Sequence, residues 1–196
     1  MATFEASSDC TTISYKRLAS GKEVLLDFYP PETSGDDLDI SQIKTIPAIV
    51  FFHGGNLILG NRRLFFPAWL QSMSIFDTNF IENWLSSCDS ERANSLGYAF
   101  ISADYQLLLP TTGHDTLKDI QDVFKFITEN NIAYKKTTFE IDPDKIIVAG
   151  GSAGGLLAHL AAAHISSPKP KGVLALYAAG GDFFVSFNTT DSQYIF

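Results

Sequence analysis

The sequence predicts an α/β protein built on a mostly parallel sheet with helices on both faces. Three observations carry this reading. From Pro47 onward the pattern runs strand, helix, strand, helix, strand, helix, strand, and such alternation is the signature of parallel strands joined by crossovers. Ala48-Ile49-Val50-Phe51-Phe52 is apolar at every position, which suits a strand buried on both faces. Glycine-rich segments directly follow two strands, His53-Gly54-Gly55 and Gly150-Gly151-Ser152-Ala153-Gly154-Gly155, and in open parallel sheets chemistry gathers at the carboxyl ends.

Residues 13–18 and 23–29 are short β-like runs separated by Ser20-Gly21, so they read as a hairpin, closed off by Pro30-Pro31. Residues 32–39 read as a solvated loop. Pro47 opens the first core strand, 48–52. In 61–96, Phe65, Phe66, Trp69 and Leu70 have helical spacing, and Phe76, Phe80 and Trp84 repeat every four residues, as in a helix. Residues 98–103 form the next strand, ending at Asp104-Tyr105. Residues 115–130 form a helix with Leu117, Ile120, Val123, Phe124 and Ile127 on one face, and Asp115 and Asp119 near its N-terminus, where the dipole favours them. Asp142-Pro143-Asp144 reads as a turn and 145–149 as a strand. Residues 156–165 form an alanine-rich helix, stopped by Ser166-Ser167-Pro168, and 173–177 the last strand. The expected organisation is an N-terminal hairpin and loop (1–46), a core (47–182) and an irregular tail (183–196).

Composition narrows the function. A chain of 196 residues suits about one domain, and 45% hydrophobic with 18% charged residues excludes a disordered one. A net charge of −8, with no basic run longer than a pair, argues against nucleic acid or anionic lipid as partner. No apolar stretch reaches the ~20 residues of a membrane helix, and residues 1–10 lack the pattern of a secretory signal. A cytoplasmic protein is expected. Cys10 and Cys88 have no metal-type spacing and read as free thiols, with a single bridge between them as the alternative.

The turn at 150–155 carries the chemistry. Gly150-x-Ser152-x-Gly154 lies between a strand and a helix, where the backbone doubles back and leaves no room for neighbouring Cβ atoms. Ser152 is thereby held at the top of the sheet, and the N–H of Ala153 opens the helix beside it, where it can stabilise an oxyanion. A phosphate loop needs Lys and then Ser or Thr after the second glycine, but Leu156-Leu157 follow Gly155; a dinucleotide fingerprint fails because its glycines would fall on Ser152 or Leu156. His53-Gly54-Gly55 after the earlier strand can supply the other half of an oxyanion hole, with His53 holding the loop's shape rather than acting as base.

In these residues, together with Asp104-Tyr105, the sequence resembles the α/β-hydrolase fold and, within it, the hormone-sensitive-lipase-like carboxylesterases, over roughly residues 47–182. The resemblance implies Ser152 as the nucleophile toward an ester carbonyl, Gly54, Gly55 and Ala153 as oxyanion donors, Asp104-Tyr105 as structural support, and no metal or cofactor. Asn56 departs from the family's usual third glycine.

The same resemblance exposes a gap. In this fold the triad acid and histidine follow the serine on later strand loops, and residues 153–196 leave no room for two more strand units. His159 and His164 lie roughly 10 and 18 Å along the helix from Ser152, His114 precedes the 115–130 helix, and Asp182 is one strand too early. The sheet is therefore expected to lack its last strand–helix units, the chain to be a shortened esterase with an insertion at 72–90, and the final strand to be an exposed edge prone to self-association. Two functions follow. One is a serine carboxylic-ester hydrolase acting on a small apolar ester. The other is a non-catalytic module of the same fold that binds an apolar ligand or a partner.

Overall fold

The computed structural model describes residues 10–31, 43–63, 94 and 96–178. The expected helix in 61–96, the insertion, Cys88, Asp182 and the tail lie outside these residues.

The hairpin forms as predicted. β1 (Thr11–Arg17) pairs antiparallel with β2 (Glu23–Tyr29), and Gly21 supplies a positive φ of 85° in the turn. β2 in turn pairs antiparallel with β4 (Ala99–Ala103), so the hairpin is continuous with the main sheet. β3 (Ile43–Phe52) lies between β4 and β6 (Thr137–Gly151), parallel to both, and β7 (Gly172–Leu176) runs parallel to β6. The order is β1-β2-β4-β3-β6, with β5 (Ile132–Tyr134) and β7 both pairing with β6. The core of the sheet is parallel, as the alternation predicted, and its antiparallel members are β1, β2 and β5.

Two expectations are corrected at β6. The predicted turn at Asp142-Pro143-Asp144 lies inside one 15-residue strand. Its local chemistry is that of a turn, since the Asp142 carboxylate accepts the Asp144 N–H at 3.0 Å. Yet β3 pairs on both sides of it, through Ile46 with Ile141 and Ala48 with Ile146, so the extra residues bulge out without ending the strand. Pro47 sits at this irregularity, where its missing N–H costs no ladder bond, and β3 begins at Ile43 rather than at the proline. The first half of β6 also closes a hairpin with β5 through Lys135-Lys136, with Lys135 at φ 52°.

α1 (Gly113–Glu129) starts from a capping box. The Thr112 hydroxyl accepts the Asp115 N–H, and the Asp115 carboxylate accepts the Thr112 N–H. His114 is therefore an exposed residue in the first turn of α1, not a loop residue ahead of it. Asp119 is fully buried and serves packing rather than the dipole: it accepts from Lys16 Nζ at 2.6 Å and from the Gln106 N–H at 2.7 Å. α2 (Ala153–His164) follows β6 and packs against α1, β3, β6 and β7.

Strand alternation divides the core. Ala48, Val50 and Phe52 join Ile101, Val148, Phe124 and Leu157 in the cluster that includes the helices' buried residues. Phe51, Phe100, Tyr29 and Ala149 form a second, mostly aromatic cluster.

Candidate active site

The chain leaves β3 toward β4 on one side and leaves β6 toward β7 on the other. The carboxyl ends of β3 and β6 therefore flank a topological switch point, where a crevice opens in sheets of this kind. Phe52 is opposite Gly150 in the register, so the two glycine-rich segments leave the sheet side by side.

Ser152 stands at the sharpest point, with φ 55° and ψ −119°, a backbone conformation that costs on the order of 1–3 kcal/mol for a side-chain-bearing residue. It caps α2 without a side-chain hydrogen bond, so its hydroxyl is not spent on the helix. Its N–H donates to Leu176 O at 2.9 Å, tying the turn to the end of β7. The glycines around it are forced by close approach. A Cβ on Gly150 would stand 2.2 Å from Gly154 O, and one on Gly154 would stand 1.9 Å from Phe52 O. A Cβ on Gly151 would meet the Tyr177 hydroxyl at 2.6 Å. Ala153 is buried at the first position of α2, where its N–H has no acceptor within the helix.

Gly54 lies beside this turn: an ideal Cβ built on it is 3.0 Å from Gly151 O and 3.5 Å from the Ser152 Cβ. Gly55 has φ 115° and opens a tight turn in which the Ile58 and Leu59 N–H groups both donate to its carbonyl, at 3.0 and 3.1 Å. Asn56 and Leu57 also have positive φ, 54° and 62°. For an ordinary L residue this costs about 1–2 kcal/mol, so the surroundings must hold the loop in place.

His53 is part of that support. It is buried and stacks on Tyr105, ring centroids 4.3 Å apart. Its Nδ1 lies 2.7 Å from Gly54 O, so Nδ1 carries the proton and donates. The Tyr105 hydroxyl donates to His53 O at 2.9 Å. Burial pushes the His53 imidazole below its usual pKa, outweighing the hydrogen bond to Gly54, and the ring is neutral at pH 7. Gly60 packs on this ring, where a Cβ would fall 2.6 Å from His53 Nδ1. Asp104 is engaged through both carboxylate oxygens with Arg62, and its carbonyl accepts the Tyr15 hydroxyl at 2.7 Å. Arg62 and its second partner Asp27 were not foreseen. In the sequence Arg62-Arg63 is only a basic pair, and nothing local links it to residues 35 or more positions away.

The structure thus brings Gly54 beside Ser152 and Ala153, while the nearest neighbours of Gly55 are atoms of Leu59. It does not bring a histidine to Ser152. His114, His159 and His164 are exposed on α1 and α2, and His53 is committed to Gly54 and Tyr105.

The strand order, the strained serine turn between β6 and α2, and the glycine loop beside it define an α/β-hydrolase fold. Within it, the chain belongs to the BD-FAE family, whose profile matches residues 26–169. A probable carboxylesterase M8 from a Phoma species is 29% identical over 136 residues, covering 67% of this chain and 37% of that protein. Butyrate-bound esterase Est2 from Thermogutta terrifontis superposes with a TM-score of 0.57 at 20% identity, covering 87% of this chain and 54% of the esterase. The same organism's esterase 2 phosphorylated by paraoxon gives 0.56 at 19% identity, covering 91% and 60%. The chain therefore spans a little over a third of the curated relative and somewhat more than half of the solved esterases. No helix among the described residues is long and apolar enough to cross a membrane.

Proposed function

We propose that this chain carries the nucleophile half of a serine carboxylic-ester hydrolase. Ser152 Oγ bonds to the ester carbonyl carbon as it gives up its proton, and the N–H groups of Gly54, Gly55 and Ala153 donate to the developing oxyanion; the ester C–O bond breaks, the proton leaves with the alcohol oxygen, and water then adds to the acyl-enzyme to release the acid and restore the Ser152 hydroxyl. One observation supports this above the others: the strained Ser152 and the glycine loop meet at the switch point, with Gly54 in contact range of the serine. The carboxylesterase and esterase names of the relatives agree with an ester substrate, and the exposed Ile58 and Leu59 on the glycine loop favour an apolar one. The acidic composition fits a protein that does not bind nucleic acid.

A second reading has its own support. A serine nucleophile needs a general base, and none of the four histidines in the 196 residues is hydrogen-bonded to Ser152. On that reading the fold binds an apolar ligand or a partner without turning over ester. A fluorophosphonate probe on the 196-residue chain separates the two. Labelling that disappears in Ser152→Ala supports the hydrolase. A folded, unlabelled wild type supports the binding module.

A further inference from the structure

The loop that carries Gly54 and Gly55 returns to the sheet at Arg62, which is held there from several directions. Its N–H donates to Asp104 Oδ1 at 2.6 Å, and its Nη1 donates to Asp104 Oδ2 at 2.7 Å. Its Nε lies 2.8 Å from Asp27 Oδ1, and its carbonyl accepts the Ser102 hydroxyl at 2.6 Å. Asp27 and Ser102 are fully buried and face each other in the β2–β4 register. One residue therefore ties the far end of the loop to the two strands beyond β3.

We propose that Arg62 is the positioning residue of the oxyanion loop, clamping its return to Asp27 and Asp104 so that Gly54 and Gly55 are presented to Ser152 at fixed distance. The proposal rests on the reading of Gly54 and Gly55 as oxyanion donors. The loop needs an external anchor, because two adjacent side-chain-bearing residues, Asn56 and Leu57, are held at positive φ. Two backbone bonds to Gly55 O, the His53 ring on Gly54 O and the Leu108 N–H on Leu57 O hold its first half, and Arg62 holds its return. Arg62 is a firm anchor because its own seat is compelled. A buried carboxylate such as Asp27 requires a cationic partner. Arg63 meets Asp27 Oδ2 at the longer distance of 3.2 Å and is half exposed, whereas the Arg62 side chain is only 11% exposed. The guanidinium donates to Asp104 through Nη1 and pairs with Asp27 through the charge at Nε, whose geometry is ionic and not that of a hydrogen bond; a lysine ammonium on a flexible stem meets two such carboxylates less firmly.

Arg62→Met alone would strand Asp27, so the informative comparison is Arg62→Met/Asp27→Asn against Asp27→Asn, each in the full chain. Amide hydrogen exchange by NMR is read at Ile58 and Leu59 in the loop, whose N–H groups donate to Gly55 O, and at Ile101 and Val148 in the sheet. The expected result is about tenfold faster exchange of the loop amides in the double variant, with the sheet amides unchanged, since local opening is distinct from global unfolding. Fluorophosphonate labelling of Ser152 should slow about tenfold in the same variant, the size expected when oxyanion donors lose their aim. Arg62→Lys, which keeps the charge, should recover part of the labelling. Equal loop exchange in the two proteins overturns the proposal, as does an equal acceleration of loop and sheet, which would make Arg62 a general stabiliser. An unlabelled wild type would refute the hydrolase reading instead, and the exchange comparison would still decide the clamp.

Discussion

Replacing Gly154 by alanine inserts one methyl group where α2 crosses the end of β3. The Cβ would stand 1.9 Å from Phe52 O, 2.6 Å from Phe52 C and 2.7 Å from His53 O, all of them backbone atoms that no rotamer change can move. Relieving the closest contact to 3.0 Å requires the helix start and the strand end to part by about 1 Å, in a core packed to crystal-like density. Overpacking of this kind costs about 1–3 kcal/mol or more, and here it sits at the upper end because only backbone can yield. Alanine returns up to about 1 kcal/mol of helix propensity. The net loss is therefore about 2–3 kcal/mol, a fall in Tm of roughly 4–12 °C for a domain of this size. Thermal and urea melts by circular dichroism measure it. Gly172→Ala is the matched control: its Cβ would meet only Ile147 side-chain carbons at 3.7 and 3.8 Å. With ordinary contacts in a strand, it should be neutral or stabilising by about 0.5–1 kcal/mol. If Gly154→Ala melts within a degree of wild type, the close approach of α2 to β3 does not constrain this turn, and the argument for a forced Gly-x-Ser-x-Gly geometry fails.

Three further outcomes are expected. His53 is buried neutral with a lowered pKa, so its contribution to stability is complete above the unfolded-state value near 6.5 and is lost as pH falls below it toward the folded-state value. The urea midpoint should decline between pH 6.5 and about 4.5, above the range where Asp115 and Asp142, both held low by hydrogen bonds, begin to protonate. A flat midpoint across that window would contradict the burial argument. Thr112→Ala removes the capping box of α1 and should cost about 1 kcal/mol, a Tm drop of roughly 2–4 °C; no change would show that Asp115 holds the helix start alone. β7 pairs with β6 on one side and has no partner on the other among the described residues, and it exposes Val173 at 39% and Leu174 at 38%. Such an edge favours self-association, which Val173→Lys should reduce in light scattering. A monodisperse wild-type monomer would refute this.

What the sequence determined by itself is what local chemistry dictates. The uniformly apolar 48–52 run suited a strand buried on both faces, and it is one. Ser20-Gly21 had to turn. The apolar face of α1 followed from its periodicity. The glycines at 150, 154 and 155 marked a place where backbone passes too close for side chains, which is why the sharp turn at Ser152 was legible. Even the turn chemistry of Asp142-Pro143-Asp144 was read correctly at its own scale. Whether that turn ended a strand was not local: it depended on β3 pairing on both sides of the bulge, through Ile46 and Ala48. The hairpin of β5 with β6 was likewise decided by a neighbour. Other contacts were decided only by the tertiary structure. It placed Asp119 under Lys16 rather than at a helix dipole, supplied His53, already read as holding the loop's shape, with Tyr105 to stack on and Gly54 O to bond, and set Arg62 between Asp27 and Asp104. Those partners are far apart along the chain and meet only once β2, β4 and β3 lie side by side. A buried charge then selects its counter-charge by proximity in space, a quantity that no spacing in the sequence encodes.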